Sequence, residues 1–368
     1  KLYVVHAGRL HPLPPGLAMG IPMRPKALLA SGLLSWRGKL RALLEPWIPP
    51  RRDDVDESIA AFARRRLGRE AAERIAEPFL KAPYAGRAAD LSVMATFPQL
   101  RELERRHGSL VRGLRQRAAA TAVPPPMFTT VRSGLERLIE AAAARLATAR
   151  VVLGTPVQRL EPAPGQGWRL WTAGGPGEVF DGVIVAAPAP AAARLLEPFC
   201  PEAAVALGQI AYADVGVAAL LYARSEVPHP LDGSGVLVPE GERLALTGCA
   251  WLSSKWPHTC PPDHALLRCF FVPERYPEGQ DEELLADLAR DLGRLLGIAA
   301  APRAHHIVRW RQAIPQYAPG HLDRVATIER ALADHPRLRL AGAALRGIGL
   351  PDCVQQGQAA AEQLFYRL

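Results

Sequence analysis

No C-x-x-C pair occurs in the 368 residues, and the five cysteines (Cys200, Cys249, Cys260, Cys269 and Cys353) are an odd number. Neither a zinc knuckle nor a redox dithiol is suggested, and free thiols in a reducing cytoplasm are expected. No apolar run reaches the length of a bilayer span. No charged leader precedes an apolar run at the start, so no signal peptide is read there. The G-x-S-x-G, H-E-x-x-H and Walker A signatures are missing, which removes the common hydrolase, zinc-protease and P-loop readings. Internal repeats are absent too. Acids are outnumbered by bases, 36 to 45, for a net charge of +9. That excludes an acidic solvating protein and leaves an anionic small molecule, a membrane surface or nucleic acid as partner classes. What is present suffices for real cores, with 49% hydrophobic and 22% charged residues. The length admits two or three domains.

The chain opens on the strand-like run Lys1-Leu2-Tyr3-Val4-Val5 without a Met, so its true start is expected to lie upstream. Residues 1–25 read as a hairpin turning at Ala7-Gly8-Arg9, with Leu10 to Pro14 extended. His11 precedes a proline; a positioned structural histidine is favoured over a ligand or base. Residues 26–126 read as helical, with Leu28, Leu29, Leu33 and Leu34, then Leu40, Leu43 and Leu44, at helical spacing. Trp36 and Trp47 border a basic amphipathic stretch that suits either a membrane surface or a lid packed on its own domain. Asp53-Asp54-Val55-Asp56 is expected to cap a helix whose apolar face is Ile59, Phe62, Ala63 and Leu67 and whose stop is Gly68. The run Arg64-Arg65-Arg66 is expected on that helix's solvated face. No stacking platform or helix-turn-helix spacing accompanies it, so nucleic acid is not read as a partner.

Ala122 to Pro126 reads as a linker and domain boundary. Beyond it, Ser133-x-x-Glu136 forms a capping box for a helix with Leu135, Leu138, Ile139, Ala142 and Leu146 on one face. Val157–Leu160, Trp168–Trp171 and Val179–Val185 are strand candidates, the last apolar enough for a buried parallel strand. Val215–Leu221, Gly235–Val238, Leu244–Ala250 and Leu266–Val272 read as an antiparallel sheet, with Ile307–Trp310 as one more strand. Asp281–Leu296 is a helix stopped by Gly297. The C-terminus returns to α/β grammar: strand Leu338–Ala341, a glycine-bearing loop from Gly342 to Leu350, and a helix from Cys353 to Leu364. His305-His306 has no companion acid at ligand spacing, so no metal site is expected. A strand running into glycines and a helix suits a pyrophosphate or a flavin edge needing backbone donors, and equally a plain turn.

The run Arg309-Trp310-Arg311-Gln312-Ala313-Ile314-Pro315-Gln316-Tyr317-Ala318-Pro319-Gly320-His321, followed by Gly342 to Cys353, resembles the C-terminal half of the porphyrinogen oxidases. These FAD-dependent enzymes make protoporphyrin or coproporphyrin in haem synthesis. Gly8 to Pro14, Asp56 to Gly68, Glu77-Pro78-Phe79, Tyr84-Ala85-Gly86, Thr96 to Leu100 and Ser253 to Pro257 resemble the family in order, so the likeness spans nearly the whole chain.

The resemblance implies an α/β fold: an amine-oxidase-like FAD-binding domain, here incomplete, with an inserted helical domain and an α+β substrate domain. Residues 1–25 would form a strand hairpin at the junction and 26–126 a helical substrate- or membrane-facing domain. Residues 127–195 and 321–368 would build the FAD-binding domain, and 196–320 the substrate-binding domain. The family's opening G-x-G-x-x-G unit is missing, which is expected of a fragment, and such a chain is not expected to hold FAD tightly. The resemblance places Val157, Trp310, Gly342, Ile348, Gly349 and Leu350 at FAD, and Lys1, Tyr84 and Gly86 at the substrate. Ala343 stands where the family often carries Asn or Asp. No catalytic acid or base and no metal ligand is nominated.

The implied reaction is six-electron oxidation of protoporphyrinogen IX or coproporphyrinogen III, with oxygen as acceptor and hydrogen peroxide released. Positioning and the cofactor's electronics would carry it. The implied location is cytoplasmic. Peripheral membrane contact and a homodimer stay open, and no nucleic-acid partner is expected; a basic nucleic-acid binder would need salt-dependent DNA affinity. Two other readings remain: another FAD-dependent amine-oxidase or desaturase-like enzyme, and a flavin-free porphyrin-binding paralogue.

Overall fold

A computed structural model describes residues 1–120, 128–146 and 148–366. The chain separates into two compact units, Lys1–Pro124 with Tyr212–Pro319, and Pro125–Ala211 with Gly320–Leu368. The expected linker at 122–126 lies outside the described residues.

The first unit is built on a seven-stranded sheet. Its order is Ala304–Pro315, Tyr212–Ala223, His264–Phe271, Leu246–Trp251, Gly235–Leu237, Tyr3–His6 and Arg9–Pro12. Neighbours are antiparallel except Tyr3–His6, which runs parallel to Gly235–Leu237. The N-terminal hairpin therefore enters this sheet as its far edge. Side chains alternate across each strand. One face buries Ala218, Leu220, Tyr222, Leu267, Cys269 and Trp251. The helix Asp281–Leu296 adds Leu284, Leu288, Leu292, Leu295 and Leu296 to the same core. Its spacing puts these leucines on one stripe, and withdrawing each from water is worth about 2 kcal/mol. Gly297 ends the helix at φ +74°, as expected.

The helical part of this unit departs from expectation in two places. Ser58, not the Asp53–Asp56 run, caps the Ile59–Leu67 helix, its hydroxyl accepting from Ala61 N at 3.2 Å. Asp53 instead turns on itself, accepting from Val55 N, and Asp56 accepts from Ser92 Oγ at 2.8 Å. The arginine run is not a solvated face either. Each helical residue rotates by about 100°, so three consecutive arginines point in three directions. Arg64 is exposed, Arg65 is half-buried and Arg66 is fully buried. The predicted apolar face is realised, with Ile59, Phe62, Ala63 and Leu67 all buried.

The second unit holds a parallel pair, Val183–Val185 beside Leu338–Leu340, and an antiparallel meander of Arg159–Ala163, Gly167–Thr172 and Gly175–Phe180. The expected single strand Val179–Val185 is two strands, broken at Asp181-Gly182 where the chain leaves the meander for the parallel pair. The helices Ala189–Leu196, Pro201–Gly208, His321–Ala331 and Leu350–Phe365 complete the unit. Residues 201–208, read on sequence with the substrate-binding piece, cluster here. The expected capping box is not formed: the Glu136–Ala143 helix starts behind Leu135 without a side-chain cap. Its apolar stripe of Leu135, Leu138, Ile139 and Leu146 exists but is exposed.

Candidate functional site

In the second unit, the C-terminal ends of the two parallel strands carry the candidate cofactor residues. Ligands of open α/β sheets settle at such ends. After Leu340 the chain turns through Gly342 at φ +125°, a conformation closed to most side chains. The nearest atom to a Cβ there would be the Ala186 carbonyl at 4.0 Å, so this glycine leaves open space beside its backbone.

The loop beyond is pinned from both flanking helices. His321, fully buried, donates from Nε2 to the Leu345 carbonyl at 2.8 Å. Gln356 Nε2 donates to the Arg346 carbonyl at 2.8 Å. Asp352 accepts from Gly349 N at 3.1 Å, and Gly347 turns at φ +88° directly against the Asp352 side chain. Pro351 opens the last helix, where a missing N–H costs nothing. Ile348, Gly349 and exposed Leu350 are thus held as a fixed backbone edge at a helix start.

Val157 lies just before the Arg159–Ala163 strand rather than on it. It lines an open, mostly apolar cleft of ≈ 650 Å³ together with Pro156, Leu170 and the Val183–Ala187 segment. Arg194 stands exposed at the rim and makes no hydrogen bond or ion pair among the described residues. An apolar wall, a glycine-opened backbone edge and a rim cation fit a flavin nucleotide. Arg194 carried no sequence signal, being one arginine in an alanine-rich helix.

In the first unit, Trp310 is 48% exposed on the edge strand, paired with Val215. Just past it the strand bulges. Asp214 holds the bulge by accepting from Gln312 N and from Arg311 Nη1, each at 2.7 Å. Those two hydrogen bonds hold the Asp214 carboxyl below its usual range. Trp310 shares the sheet face opposite the leucine core with Val217, Ala219, Arg268 and Phe270. These strands alternate between buried and half-buried residues, so this second face is a broad apolar surface.

Tyr84 is buried, packed against Tyr317 and Phe97 at ring separations of 5.8 and 6.2 Å. Its carbonyl accepts from Gln316 Nε2 at 2.8 Å. A Cβ on Gly86 would fall 1.9 Å from Gln316 Oε1, so that position must be glycine for Gln316 to dock. Lys1 is largely exposed and paired with Asp232, which also accepts from Tyr3 Oη at 2.7 Å. Lys1 and then Tyr3 pull the Asp232 carboxyl down to about 2. The structure therefore gathers Val157, Gly342, Ile348, Gly349 and Leu350 in one unit, and Trp310, Lys1, Tyr84 and Gly86 in the other.

No group of three or more His, Cys, Asp or Glu side chains suited to a metal occurs among the described residues. Cys249 and Cys269 lie opposite each other on paired strands, Sγ atoms 3.8 Å apart, both buried as free thiols.

A family model described as flavin containing amine oxidoreductase matches residues 1–365. The coproporphyrinogen III oxidase of Bacillus subtilis (strain 168) is 33% identical over 97% of this chain and 78% of its own length. That of Staphylococcus aureus (strain NCTC 8325 / PS 47) is 30% identical over 100% of this chain and 81% of its own. The chloroplastic protoporphyrinogen oxidase of Nicotiana tabacum is 29% identical over 98% and 70%. Among solved structures, an Exiguobacterium sp. 255-15 protein assigned as a protoporphyrinogen oxidase superposes with a TM-score of 0.86 at 30% identity. It is matched over 80% of its chain and all of this one. Reduced UDP-galactopyranose mutase, at 15% identity and a TM-score of 0.69 over 100% of this chain and 78% of its own, shares the fold.

Proposed function

The chain belongs to the flavin-containing amine oxidoreductase family, and from that premise we propose that it oxidises a porphyrinogen, coproporphyrinogen III or protoporphyrinogen IX, to the porphyrin. The observation that carries this reading is one-third identity to a coproporphyrinogen III oxidase along 97% of the chain. The substrate gives up six hydrogens with six electrons, and three molecules of oxygen become three of hydrogen peroxide. The family's FAD, when bound, supplies the two-electron acceptor.

The chain's own residues bind, orient and exclude water. Val157, Gly342, Ile348, Gly349 and Leu350 would hold the cofactor through apolar surface and backbone. The glycines admit close approach, and the helix start beyond Gly349 favours an electron-rich edge. The half-buried apolar sheet face carrying Trp310 suits a flat tetrapyrrole, with Lys1, Tyr84 and Gly86 on the substrate side. No side chain is assigned a proton, because the barrier is met by positioning and by the cofactor's electronics. In this reading residues 127–195 and 321–368 serve the cofactor, and 1–25, 26–126 and 196–320 the substrate.

We further propose a cytoplasmic protein that touches a membrane surface from outside. No helix among the described residues is long and apolar enough to cross one. Trp36, Leu40, Leu44 and Trp47 nevertheless point away from the core, on the face opposite buried Gly38, Lys39, Ala42 and Glu45. An outward apolar stripe bordered by tryptophans suits a headgroup boundary.

The test is a visible spectrum after incubation with FAD and gel filtration, then porphyrin fluorescence on adding each porphyrinogen. Oxygen-dependent porphyrin formation is expected with FAD kept in excess, whereas a chain missing the G-x-G-x-x-G unit should retain little flavin through the column. Porphyrin binding without peroxide would favour the carrier reading, and oxidation of an amine or carotenoid alone would favour the other.

A further inference from the structure

The second face of the seven-stranded sheet carries one charge that its surroundings do not answer. Arg268 sits mid-strand in His264–Phe271, within the apolar run Leu266-Leu267-Arg268-Cys269-Phe270-Phe271. Leu267, Cys269 and Phe271 point into the leucine core, so Leu266, Arg268 and Phe270 share the opposite face. In register beside Arg268 lie Ala219 on one strand and Ala250 on the other. Neither can pair with a cation, and both are small enough to leave space around it.

Arg268 makes no hydrogen bond and no ion pair among the described residues, and its Nε is buried without a partner. Among the described residues the guanidinium meets the Phe270 ring, 5.2 Å from its centroid. A cation–π contact of this kind returns about 1 kcal/mol, well short of the cost of desolvating a charge. Most other half-buried arginines of this unit are matched: Arg65 by Glu57 and Glu104, Arg74 by Glu70, Arg309 by Asp281. Nor is Arg268 compensated by its neighbourhood. Lys255 is close enough that the Arg268 charge, after burial, lowers its pKa. Burial likewise pulls Arg268 below the usual arginine value. A half-buried guanidinium on an apolar sheet face, with no carboxylate bound to it among the described residues, makes a site for a missing anion.

We propose that Arg268 anchors a carboxylate of the substrate, a propionate of the porphyrinogen, and so orients the ring on this sheet face. The inference rests on the porphyrinogen reading and deepens it. A planar guanidinium suits bidentate carboxylate binding better than a lysine does. The flat apolar surface takes the ring, and Arg268 fixes one edge of it. It acts as a positioning residue and moves no electron or proton.

The test compares wild type, Arg268→Gln and Arg268→Lys, each with FAD in excess, on coproporphyrinogen III and on its tetramethyl ester in detergent micelles. With the acid, Arg268→Gln is expected to raise KM about 10- to 100-fold, the range for a charged hydrogen bond, with kcat little changed. Arg268→Lys should recover part of that loss. With the ester, wild type and Arg268→Gln should be alike. An unchanged KM for the acid, or equal losses on acid and ester, would overturn the anchor and leave the function standing. Binding of coproporphyrin III and its ester, followed by fluorescence quenching, reads the anchor without turnover. If wild type oxidises neither porphyrinogen, the function reading fails, yet tighter binding of the acid that Arg268→Gln abolishes would still support the anchor. If wild type shows no preference for the acid over the ester, the anchor falls as well.

Discussion

The Arg66 guanidinium lies fully buried against the equally buried Glu45 carboxylate. Glu45 also accepts from Ser109 Oγ at 2.6 Å and from Leu110 N at 2.8 Å, where the Leu110–Ala120 helix begins. Arg66 also donates to the Ile48, Gly108 and Glu45 carbonyls, at 2.9, 3.1 and 3.1 Å, and to Glu104 Oε1 at 3.5 Å. One ion pair thus ties the helices Ile59–Leu67 and Leu110–Ala120 to the Glu45–Trp47 turn. Arg66→Met leaves Glu45 charged and buried, and should cost about 3–5 kcal/mol. Denaturant unfolding checks it; a loss under about 1 kcal/mol would mean that the pair is dispensable.

Acid should undo the neighbouring cluster. Burial pushes Glu104 up, but Arg65, the Arg51 N–H and Arg101 together outweigh it and hold the carboxyl below its usual 4.5. The unfolded chain takes up this proton near pH 4.5, the folded chain only at lower pH. The cluster's contribution is therefore complete above pH 4.5 and drains away as pH falls through the folded value. Thermal unfolding against pH should show a steep acid limb below about pH 4.5. Glu104→Gln should lower the neutral plateau by about 3–5 kcal/mol and flatten that limb. A limb of unchanged slope would place the acid sensitivity elsewhere.

The alternation of the sheet strands and the leucine stripe of Asp281–Leu296 could be read from the sequence because period and burial agree there. The arginine run misled because composition invites a solvated face, whereas the helical rotation of residues 64–66 and two distant acids, Glu45 and Glu104, decide burial. Those partners lie 21 and 38 residues away and carry no local signal. The glycines of 342–349 were readable as a ligand-facing turn, but their fixing by His321 and Gln356 was not. Arg268 did leave a mark, a lone charge inside an apolar strand, and only the absence of a partner among the described residues gives it meaning.

Gly347 tests the cofactor edge. At φ +88°, an added Cβ would sit 2.5 Å from the Asp352 carboxyl carbon. Gly347→Ala should cost about 1–2 kcal/mol through backbone strain and displace Asp352 from Gly349 N. The FAD concentration needed to saturate the protein in a visible-spectrum titration should then rise sharply, so that at a fixed FAD concentration less flavin is bound. Gly279 has a similar backbone at φ +90° with open space around it. Gly279→Ala should lose comparable stability while keeping its flavin. Equal flavin content in the two variants would remove the Gly347–Asp352 turn from the cofactor site.

The outward stripe of Trp36, Leu40, Leu44 and Trp47 makes the last prediction. These positions recur at intervals of four, four and three, so they share one side of a continuous helical path. Trp36 is 69% and Trp47 70% exposed, which is costly for rings of that size in water. Lys39 covers part of the Trp36 ring at 4.8 Å but spends its charge on the Leu29 carbonyl at 2.7 Å. The exposed cations Lys26 and Arg37 lie along the same stretch, so anionic vesicles should bind better than neutral ones. Withdrawing each ring from water is worth on the order of 2 kcal/mol, so the Trp36→Ser/Trp47→Ser pair should weaken vesicle binding by a hundredfold or more. Because the stripe faces away from the core, turnover of detergent-dispersed substrate should be unchanged. If both proteins co-sediment alike with anionic vesicles, charge alone governs the attraction. If neither does, the stripe is not a membrane surface.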